Sequence, residues 1–419
     1  MTFFGGGEHS FLKFKAMKKL LFITLFFTVV SVFGNSIHVA VGGNDNNDGT
    51  SWQTAVASIQ KAIQLSKAGQ EIRIATGTYK VANLEIPRNT KMVGGFNVKA
   101  YRTKEKTTIF EPTGKDILIL KNISHNCHFE NITFQKQRIK HKEYMNTIRG
   151  ENVRFLNCNF LDHYTASYCA VIAIRKGSVS FEKCEFAKNL AEHTVGCFAS
   201  YRDSVASFVD CVFYANHAKL AHSNLYFSGK RGVLKNCIFV GNNGNFIRIE
   251  SRNGGKDIYL DIVNCTFAGN MGVILSCKTN KHEINMVNCL FSMQPVRSKL
   301  IPKDLLQKNK DVESPFNIES SSELKITNSV ILYKGKLPFM DRFDDGCLKV
   351  VGSMGKFDYI KGFDMPVIFP ERVAKLNIGA GQDKMPQGVE FPKTDILGNP
   401  RPENNCIVGA VQKLSVNKK

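Results

Sequence analysis

Five basic residues recur along the middle of this chain at a spacing that could create a binding surface: Arg175, Arg202, Lys230, Arg252 and Lys278. Their positions differ by 27, 28, 22 and 26 residues, and each follows a short stretch rich in apolar residues. If these stretches are equivalent strands, the five side chains form one cationic stripe. Guanidinium groups pair with carboxylate or sulfate through a planar fork, so the stripe suits a uronate or sulfate chain. Lysine and arginine also line sheet edges to prevent aggregation, and this alternative stays open.

Strand alternation places further side chains on the same face as the stripe. Two residues earlier stand Ala173, Ser200, Ser228, Glu250 and Ser276, and two earlier again stand Phe198, Tyr226 and Arg248. The predicted substrate-binding residues are Arg175, Arg202, Lys230, Arg248, Glu250, Arg252 and Lys278. The net charge of the whole chain has the same sign as the stripe, because 56 Lys and Arg against 36 Asp and Glu give a formal net charge of +20. An acidic partner is therefore expected.

The residues on this face argue against hydrolysis. Glycoside hydrolases generally need two carboxyl groups beside the scissile bond, and this face offers Glu250 nearly alone. A β-eliminating lyase instead needs a base and positive groups that stabilise an enolate. Lys230 or Arg252 could be that base if neighbouring cations lowered its pKa, with Tyr226 as the other proton carrier. Arg248 and Arg202 would then stabilise the developing charge.

No metal or cofactor is predicted. Four histidines, His163, His193, His217 and His222, could converge where loops leave the strands, although loop histidines are more often solvated. The twelve cysteines lack the paired spacing of zinc sites. The Asn- and Asp-rich loop from Asn44 to Gly49 is the one candidate for calcium, and an ordinary turn is the alternative.

The elements that must position these residues are indicated by a six-residue phrase that recurs with drift. Its eight copies begin at Phe129, Phe155, Phe181, Phe208, Leu234, Ile262, Met286 and Ile326. The first seven keep a period of 24 to 28 residues, which is typical of stacked structural repeats. Each copy fits a strand, a turn at a residue that tolerates left-handed backbone angles, and a second strand. The pattern predicts an all-β, right-handed parallel β-helix.

Two columns within the phrase support this prediction. Asparagine is the commonest residue at the turn, in the column Asn131, Asn157, Lys183, Asp210, Asn236, Asn264, Asn288 and Asn328. The next column holds Cys158, Cys184, Cys211, Cys237, Cys265 and Cys289. Neighbours in such a column point the same way, which is poor geometry for disulfides. Aligned cysteines without disulfides, acting as small buried apolar residues, are expected.

The chain ends predict the domain organisation. Residues 17–34 have the layout of a secretory signal peptide, and residues 1–16 read as a false-start extension. Residues 35–80 would form the N-terminal cap and first strands, because apolar residues from Ala55 to Ser66 follow a helical stripe with Thr54 as a possible cap. Regular coils are expected over 81–332, with irregular coils and a closing segment over 333–419.

Several segments together resemble bacterial secreted right-handed β-helix proteins of the pectate-lyase-like superfamily. They are the opening VAVGGNDNNDGTSWQTAVASIQKAI, the later IRIATGTY and KMVGGF, the N-C-x-F coils and the closing TDILGNPRPENNCIVGAVQ. The closing segment resembles the choice-of-anchor Q type of ending. The resemblance implies that a polysaccharide lies along the outer face of one parallel sheet.

Two functions remain after these observations. The first is a secreted or surface protein that binds an acidic polysaccharide without turnover, and the alternative is a β-eliminating polysaccharide lyase acting on a uronate-containing glycan. The signal segment predicts an extracytoplasmic protein, secreted, at the cell surface or periplasmic. No nucleic acid partner and no membrane-spanning segment are expected in the mature chain, and a monomer is expected.

Overall fold

Short parallel strands stacked coil upon coil form this protein. The computed structural model describes residues 36–97, 107–140, 146–166, 169–192, 195–218, 223–251, 257–270, 272–278, 281–292, 316–318, 322–332, 347–350, 358–359, 366–367, 385, 388–401 and 409. The predicted extension and signal segment, together with Arg252, His193 and His222, lie outside these residues. Among the described residues, no helix combines the length and apolar character that crossing a bilayer requires.

Four parallel sheets run along the stack, and each coil contributes one strand to each of three or four of them. The first sheet contains Ile37–Val39, Glu71–Ala75, Lys91–Phe96, His128–Glu130, Val153–Leu156, Ser178–Glu182, Val205–Val209, Arg231–Lys235, Tyr259–Val263, Glu283–Val287 and Glu323–Thr327. The second contains Gly77–Val81, Thr108–Pro112, Ile132–Gln135, Asn159–Leu161, Glu185–Ala187, Val212–Tyr214, Ile238–Val240, Thr266–Ala268, Leu290–Ser292, Val330–Leu332 and Leu348–Val350.

The other two sheets complete each coil. The third contains Leu84–Ile86, Leu120–Ile123, Thr147–Ile148, Ile172–Ile174, Phe198–Tyr201, Ser223–Ser228, Asn245–Glu250, Leu275–Lys278 and Phe316–Ile318. The fourth contains Arg138–Ile139, Tyr164–Thr165, Leu190–Ala191 and His217–Ala218. Asp358–Tyr359 and Pro366–Val367 form a separate antiparallel pair. The predicted right-handed parallel β-helix is confirmed.

The recurring phrase forms the corner between the first and second sheets. Every residue of the predicted turn column has left-handed backbone angles, with φ between 44° at Asn328 and 56° at Asn131. Some neighbouring side chains are hydrogen-bonded, as when Asn236 Nδ2 donates to Asp210 Oδ1 at 3.0 Å, whereas the side-chain amide group of Asn264 is buried without a hydrogen-bond partner. Lys183 adopts the same backbone conformation. The column therefore depends on the conformation of the turn, which asparagine adopts at low cost.

The six aligned cysteines are buried thiols, as predicted. Each Sγ lies within hydrogen-bonding distance of the carbonyl oxygen at the first residue of the preceding phrase, for example 3.4 Å between Cys184 and Phe155. Burial raises the pKa of Cys289 to about 12. These thiols are therefore packing groups, because the reactive thiolate is strongly disfavoured.

Phenylalanine rings fill the core in two stacked rows, one from each strand of the phrase. Phe213 stacks on Phe186 at 4.8 Å and on Phe239 at 4.9 Å between ring centroids. Rings of the two rows meet edge to face, as Phe208 and Phe213 do at 5.6 Å. Offset-stacked and edge-to-face pairs contribute beyond simple burial, so the register of the coils is fixed by ring packing.

A second polar ladder lies inside the turn between the second and fourth sheets. It consists of Gln137, His163, Asn189, Asn216, Asn242 and Asn270. In each asparagine rung, Oδ1 accepts the backbone N–H of the preceding rung and Nδ2 donates to a carbonyl of the buried phenylalanine row. The ladder satisfies buried backbone groups that the turn would otherwise leave without partners.

The N-terminal coil is closed by a helix, Ile59–Leu65, whose Ile59 and Ala62 are buried. The helix is shorter than the predicted stripe and is capped by Ser58, whose Oγ accepts the Lys61 N–H at 3.1 Å, and not by Thr54. The difference arises because Asp45 Oδ1 accepts the N–H groups of Ala57 and Ser58, which holds that stretch outside the helix.

The closing segment packs back onto the coils at the corner between the first and second sheets. Arg401 is buried, and its guanidinium donates to the carbonyl oxygens of Thr394 and Gly409 and to Asn236 Oδ1. The Gly409 N–H donates to the Asn288 carbonyl at 2.7 Å. Gly409 has a φ of 92°, and a Cβ there would lie 2.5 Å from Thr266 Oγ1, so glycine permits this close approach.

Replacing Arg401 with alanine is expected to lower the free energy of unfolding by about 2 kcal/mol, because the charged hydrogen bonds to the Gly409 carbonyl oxygen and to Asn236 Oδ1 are lost. Denaturant unfolding would measure the change, and limited proteolysis would show earlier cleavage near the C-terminus. Lys393→Ala, at an exposed neighbour, is the control. An equally small effect of both substitutions would contradict a clamping role for Arg401.

Candidate functional site

The outer face of the third sheet carries two columns of side chains that contain most of the predicted site residues. The central column is Ala173, Ala199, Tyr226, Arg248 and Ser276, paired strand to strand. The charged column follows two residues later and is Arg149, Arg175, Tyr201, Ser228, Glu250 and Lys278. Side chains between the two columns, such as Ile174 and Ile249, point into the core.

The prediction of one stripe of five basic residues is wrong in register. Arg175 and Lys278 share the charged column, but Arg202 and Lys230 are exposed in turns between the third and first sheets. Arg202 has a left-handed φ of 58°, which ends its strand at Tyr201. The spacing of the basic residues gave a wrong alignment because the connection from the phrase to the third sheet differs in length from coil to coil. Counting residues from the phrase therefore does not give the register of the third sheet.

The predicted companions of the stripe are corrected in the same way. Ser200 is fully buried and points inward, and Phe198 packs in the core against Phe208 at 5.1 Å. Glu250 does lie on the outer face, one strand from Lys278. Ser228 lies beside it in the charged column, whereas Ala173 and Ser276 belong to the central column.

The centre of the face contains a contact network around one carboxylate. Arg248 Nη2 lies 2.9 Å from Glu250 Oε2, and the Tyr226 hydroxyl donates to the same oxygen at 3.4 Å. Tyr226 is 4% exposed, and the side chains of Arg248 and Glu250 are 16% and 23% exposed. Arg248 Nε is buried and makes no hydrogen bond. The network holds Arg248 and Tyr226 in fixed positions beside the solvent-facing charged column.

Aromatic rings extend this network toward the N-terminal coils. The Tyr201 and Tyr226 rings are 5.7 Å apart, and the Arg175 guanidinium lies 5.7 Å from the Tyr201 ring centroid. A small apolar cluster outside the main core consists of Cys169, Ala173, Val195, Ala199 and Tyr226. The partly exposed Tyr201 packs against this cluster and lies next to a cation. Such a pairing suits a sugar ring that carries an anionic group.

Sequence reasoning missed two residues of the charged column. Tyr201 immediately precedes Arg202, so an error of one residue in register hid it. Arg149 precedes the first stretch used to align the stripe, although it is exposed and follows Ile148 as Arg175 follows Ile174. A search for basic residues directly after each short apolar strand would have found Arg149.

Cations on the first sheet alternate with carboxylates of the same sheet. Arg154 lies 2.6 Å from Glu182, and Arg231 lies 2.6 Å from Asp261. These pairs have the form expected of a solvated sheet face with balanced charge. The two columns of the third sheet instead contain four cations, Arg149, Arg175, Arg248 and Lys278, and one carboxylate, Glu250, which makes this sheet the better candidate for an acidic ligand.

The histidines do not form a site in the described residues. His163 is 1% exposed and belongs to the interior ladder, so the prediction of a loop histidine is wrong for it. Burial lowers its pKa to about 3. The His217 backbone belongs to the fourth sheet, where its N–H donates to the Asn189 carbonyl. His193 and His222 lie outside the described residues.

The loop from Asn44 to Gly49 uses its acidic groups locally. Asp45 holds the start of the helix, and Asp48 Oδ1 accepts from the N–H and hydroxyl of Thr50. Within the described part of the chain, no three side chains of His, Cys, Asp or Glu gather as a metal site would require. The loop thus has the contacts of an ordinary turn.

Comparisons with known proteins show what this chain is similar to and do not assign it a function. Residues 41–152 match a family described as a protein of unknown function, DUF1565. Three solved structures are similar: a rhamnogalacturonan lyase (11% identity, TM-score 0.43, covering 71% of this chain and 87% of that one), ORF18 of Geobacillus virus E2 (16%, 0.39, 67% and 59%) and a pectin methylesterase from carrot (12%, 0.37, 77% and 90%). No curated protein sequence matches. Arg149 falls within the family match, and the rest of the charged column lies beyond it.

Proposed function

We propose that this protein is an extracytoplasmic, monomeric β-helix protein that binds an acidic polysaccharide along the outer face of its third sheet, without turnover. It would be secreted or held at the cell surface, as the signal-like segment and the resemblance to choice-of-anchor Q endings suggest. The observation that carries the proposal is the charged column, in which exposed Arg175 and Lys278 flank Tyr201 and the Arg248–Glu250 pair. No metal or nucleic acid takes part in the proposed function.

The geometry of this face suits a chain-like ligand. Stacked strands are about 4.8 Å apart, so the column from Arg175 to Lys278 spans roughly 19 Å along the axis of the stack. A glycan lying along that axis would meet cations near both ends and the tyrosine surface between them. Arginine supplies paired donors to a carboxylate or sulfate, and the exposed part of the Tyr201 ring can pack against a sugar ring.

The absence of turnover is proposed from the contacts of the candidate catalytic residues. The Tyr226 hydroxyl donates a hydrogen bond to the Glu250 carboxylate, whose negative charge opposes formation of the phenolate that a base requires. Arg248 is already paired with that carboxylate, and Lys230 lies in a corner turn away from both columns. Glu250 is also the sole carboxylate of the two columns as defined, so the pair that hydrolysis requires is not present there.

A lyase is the second candidate because Tyr226 and Arg248 occupy paired positions on adjacent strands. A proton carrier next to a guanidinium is the minimum that β-elimination needs. Formation of unsaturated oligosaccharide by the wild-type protein, and its loss in Tyr226→Phe, would establish this alternative in place of binding alone.

Reversing both flanking cations, Arg175→Glu with Lys278→Glu, is expected to weaken binding of polygalacturonate at least about tenfold, because attraction becomes repulsion. The melting temperature should change little, since exposed charges contribute little to stability. Wild-type binding should also weaken steeply with added salt. Isothermal titration calorimetry or affinity electrophoresis would measure the change.

Lys67→Glu with Lys115→Glu is the matched control, because both lysines are exposed and lie outside the third sheet. It changes the net charge equally and should retain most of the binding. Equal losses in the two double variants would mean that total charge, and not this face, governs binding. Undiminished binding in the Arg175 and Lys278 double variant would reject the proposed surface.

A further inference from the structure

The charged column begins with two arginines on adjacent coils. Arg149 and Arg175 are both exposed, and each directly follows a strand of the third sheet. Backbone hydrogen bonds fix this alignment: the Arg149 N–H donates to the Ile123 carbonyl at 3.0 Å, and the Arg175 N–H donates to the Ile148 carbonyl at 2.9 Å. Equivalent residues of stacked strands are about 4.8 Å apart. The two guanidinium groups can therefore reach the same small anion.

The fold does not require arginine at these positions. Serine occupies the same column one coil earlier, at Ser124, and again at Ser228. The turns that follow these strands expose four cations, Arg149, Arg175, Lys176 and Arg202, and two carboxylates, Glu151 and Asp203. This end of the face therefore carries a net positive charge, which favours an anionic ligand.

The tyrosine next in the column indicates what carries the anion. The Arg175 guanidinium lies over the Tyr201 ring at 5.7 Å, and Tyr201 contacts the outer apolar cluster. A sugar ring packed against the exposed part of Tyr201 would direct its substituent toward the arginines one and two strands away. We propose that Arg149 and Arg175 together bind the carboxylate or sulfate of a sugar that packs against Tyr201, an inference that rests on the proposed function. Arg149 is thereby assigned as a ligand-binding residue that determines where on the face an acidic sugar is held.

The test compares Arg149→Ser, Arg175→Ser and the double variant for binding of polygalacturonate, dextran sulfate and uncharged dextran. Serine is the natural occupant of this column in nearby coils, so the variants should fold, and their melting temperatures would verify this. Each single variant is expected to bind an acidic polymer about fivefold or more weakly. Because both arginines contact one group, the double variant should lose less than the product of the two single losses. Arg149→Lys, which keeps the charge but not the fork, should fall between wild type and Arg149→Ser.

Arg154→Ser is the matched control, because Arg154 lies five residues away on the outer face of the first sheet, in a column where Ser180 and Ser207 follow. It removes the same charge and should bind like the wild type. The inference would be overturned if Arg149→Ser bound an acidic polymer as strongly as the wild type, or if the losses of the two single variants simply multiplied in the double variant. Either result would leave the proposed function standing. A wild type that binds no acidic polymer would reject both. A loss for polygalacturonate alone would identify a carboxylate, and a loss for dextran sulfate alone would identify a sulfate.

Discussion

Phe213→Ala should lower the free energy of unfolding by about 3–5 kcal/mol, the range expected for truncating a fully buried phenylalanine. Phe213 is fully buried and contacts rings on both sides, Phe186 and Phe239, as well as Phe208 and Phe246. Truncation to alanine would leave a cavity in the middle of a continuous row, where neighbouring coils cannot close the gap without breaking their own stacking. Urea unfolding followed by circular dichroism would measure the loss.

The adjacent residue Val212 provides the control for this prediction. The alternation of the phrase places the Val212 side chain on the outer face of the second sheet, where it is nevertheless only 3% exposed. Threonine occupies the same column at Thr266, so Val212→Thr tests the outer position with a residue that the column already accepts. A cost of about 1 kcal/mol is expected. Similar losses at Phe213 and Val212 would contradict the register of the second sheet.

The first two sheets could be predicted from sequence because the phrase keeps a constant internal length. Apolar residue, turn residue, cysteine and phenylalanine stand at fixed offsets, so equivalent residues of successive coils align without any assumption about loops. The left-handed turn at Asn131 and the buried thiol of Cys158 follow from residue type alone. In this part of the chain, the local preference of each residue agrees with its position in the fold, so the turn and the buried positions were predicted correctly.

The third sheet could not be aligned in the same way because the connections that lead to it differ in length. Tyr201 and Ser228 are 27 residues apart in the charged column, whereas Ser228 and Glu250 are 22 apart. A shift of one residue moves a side chain to the other face of a strand, so Ser200 and Tyr201 exchange roles. The sequence indicated the types of residue on the candidate site. Which of them share a column could be determined only from the strand register of the third sheet.

The interior ladder was missed for a different reason. Its members stand three residues after the last phenylalanine of each phrase, as His163 follows Phe160 and Asn189 follows Phe186. Polar residues between strands suggest solvated loops. Composition alone does not reveal that the polar side chain of a turn points into the interior. The residue directly before each ladder member, such as Asp162 or Lys188, has left-handed backbone angles that turn the following side chain into the core.

The place of His163 in this ladder leads to the second large prediction, a loss of stability in mild acid that His163→Asn should remove. His163 Nδ1 accepts the Gln137 N–H at 3.3 Å, and Nε2 lies 3.0 Å from the Phe134 carbonyl oxygen. The ring must therefore be neutral with its proton on Nε2, because a proton on Nδ1 would face another donor. Burial accordingly lowers the pKa of His163 to about 3.

The direction of the effect follows from proton linkage. A histidine in the unfolded chain has a pKa of about 6.5, so between pH 6.5 and 3 the unfolded state binds a proton that the folded state does not. The stability contributed by neutral His163 is complete above pH 6.5 and decreases as the pH falls, by about 2 kcal/mol at pH 5. Asparagine serves as the rung in the following coils and does not titrate, so His163→Asn should retain the ladder and lose this pH dependence.

Free energies of unfolding in urea at pH 7 and pH 5 would measure this difference. His38 also has a pKa lowered by burial, and Glu111, whose pKa is lowered to about 2 by hydrogen bonds from Lys80, loses its contribution only below about pH 4.5. Both groups are present in the wild type and in the variant, so the difference between the two proteins isolates His163. His125→Asn is the control, because His125 is exposed at a corner outside the ladder and its replacement should leave the wild-type pH dependence in place. If His163→Asn lost as much stability as the wild type between pH 7 and pH 5, the buried neutral rung would not be the source of acid sensitivity. A wild type whose stability is unchanged over this range would contradict the burial of His163 itself.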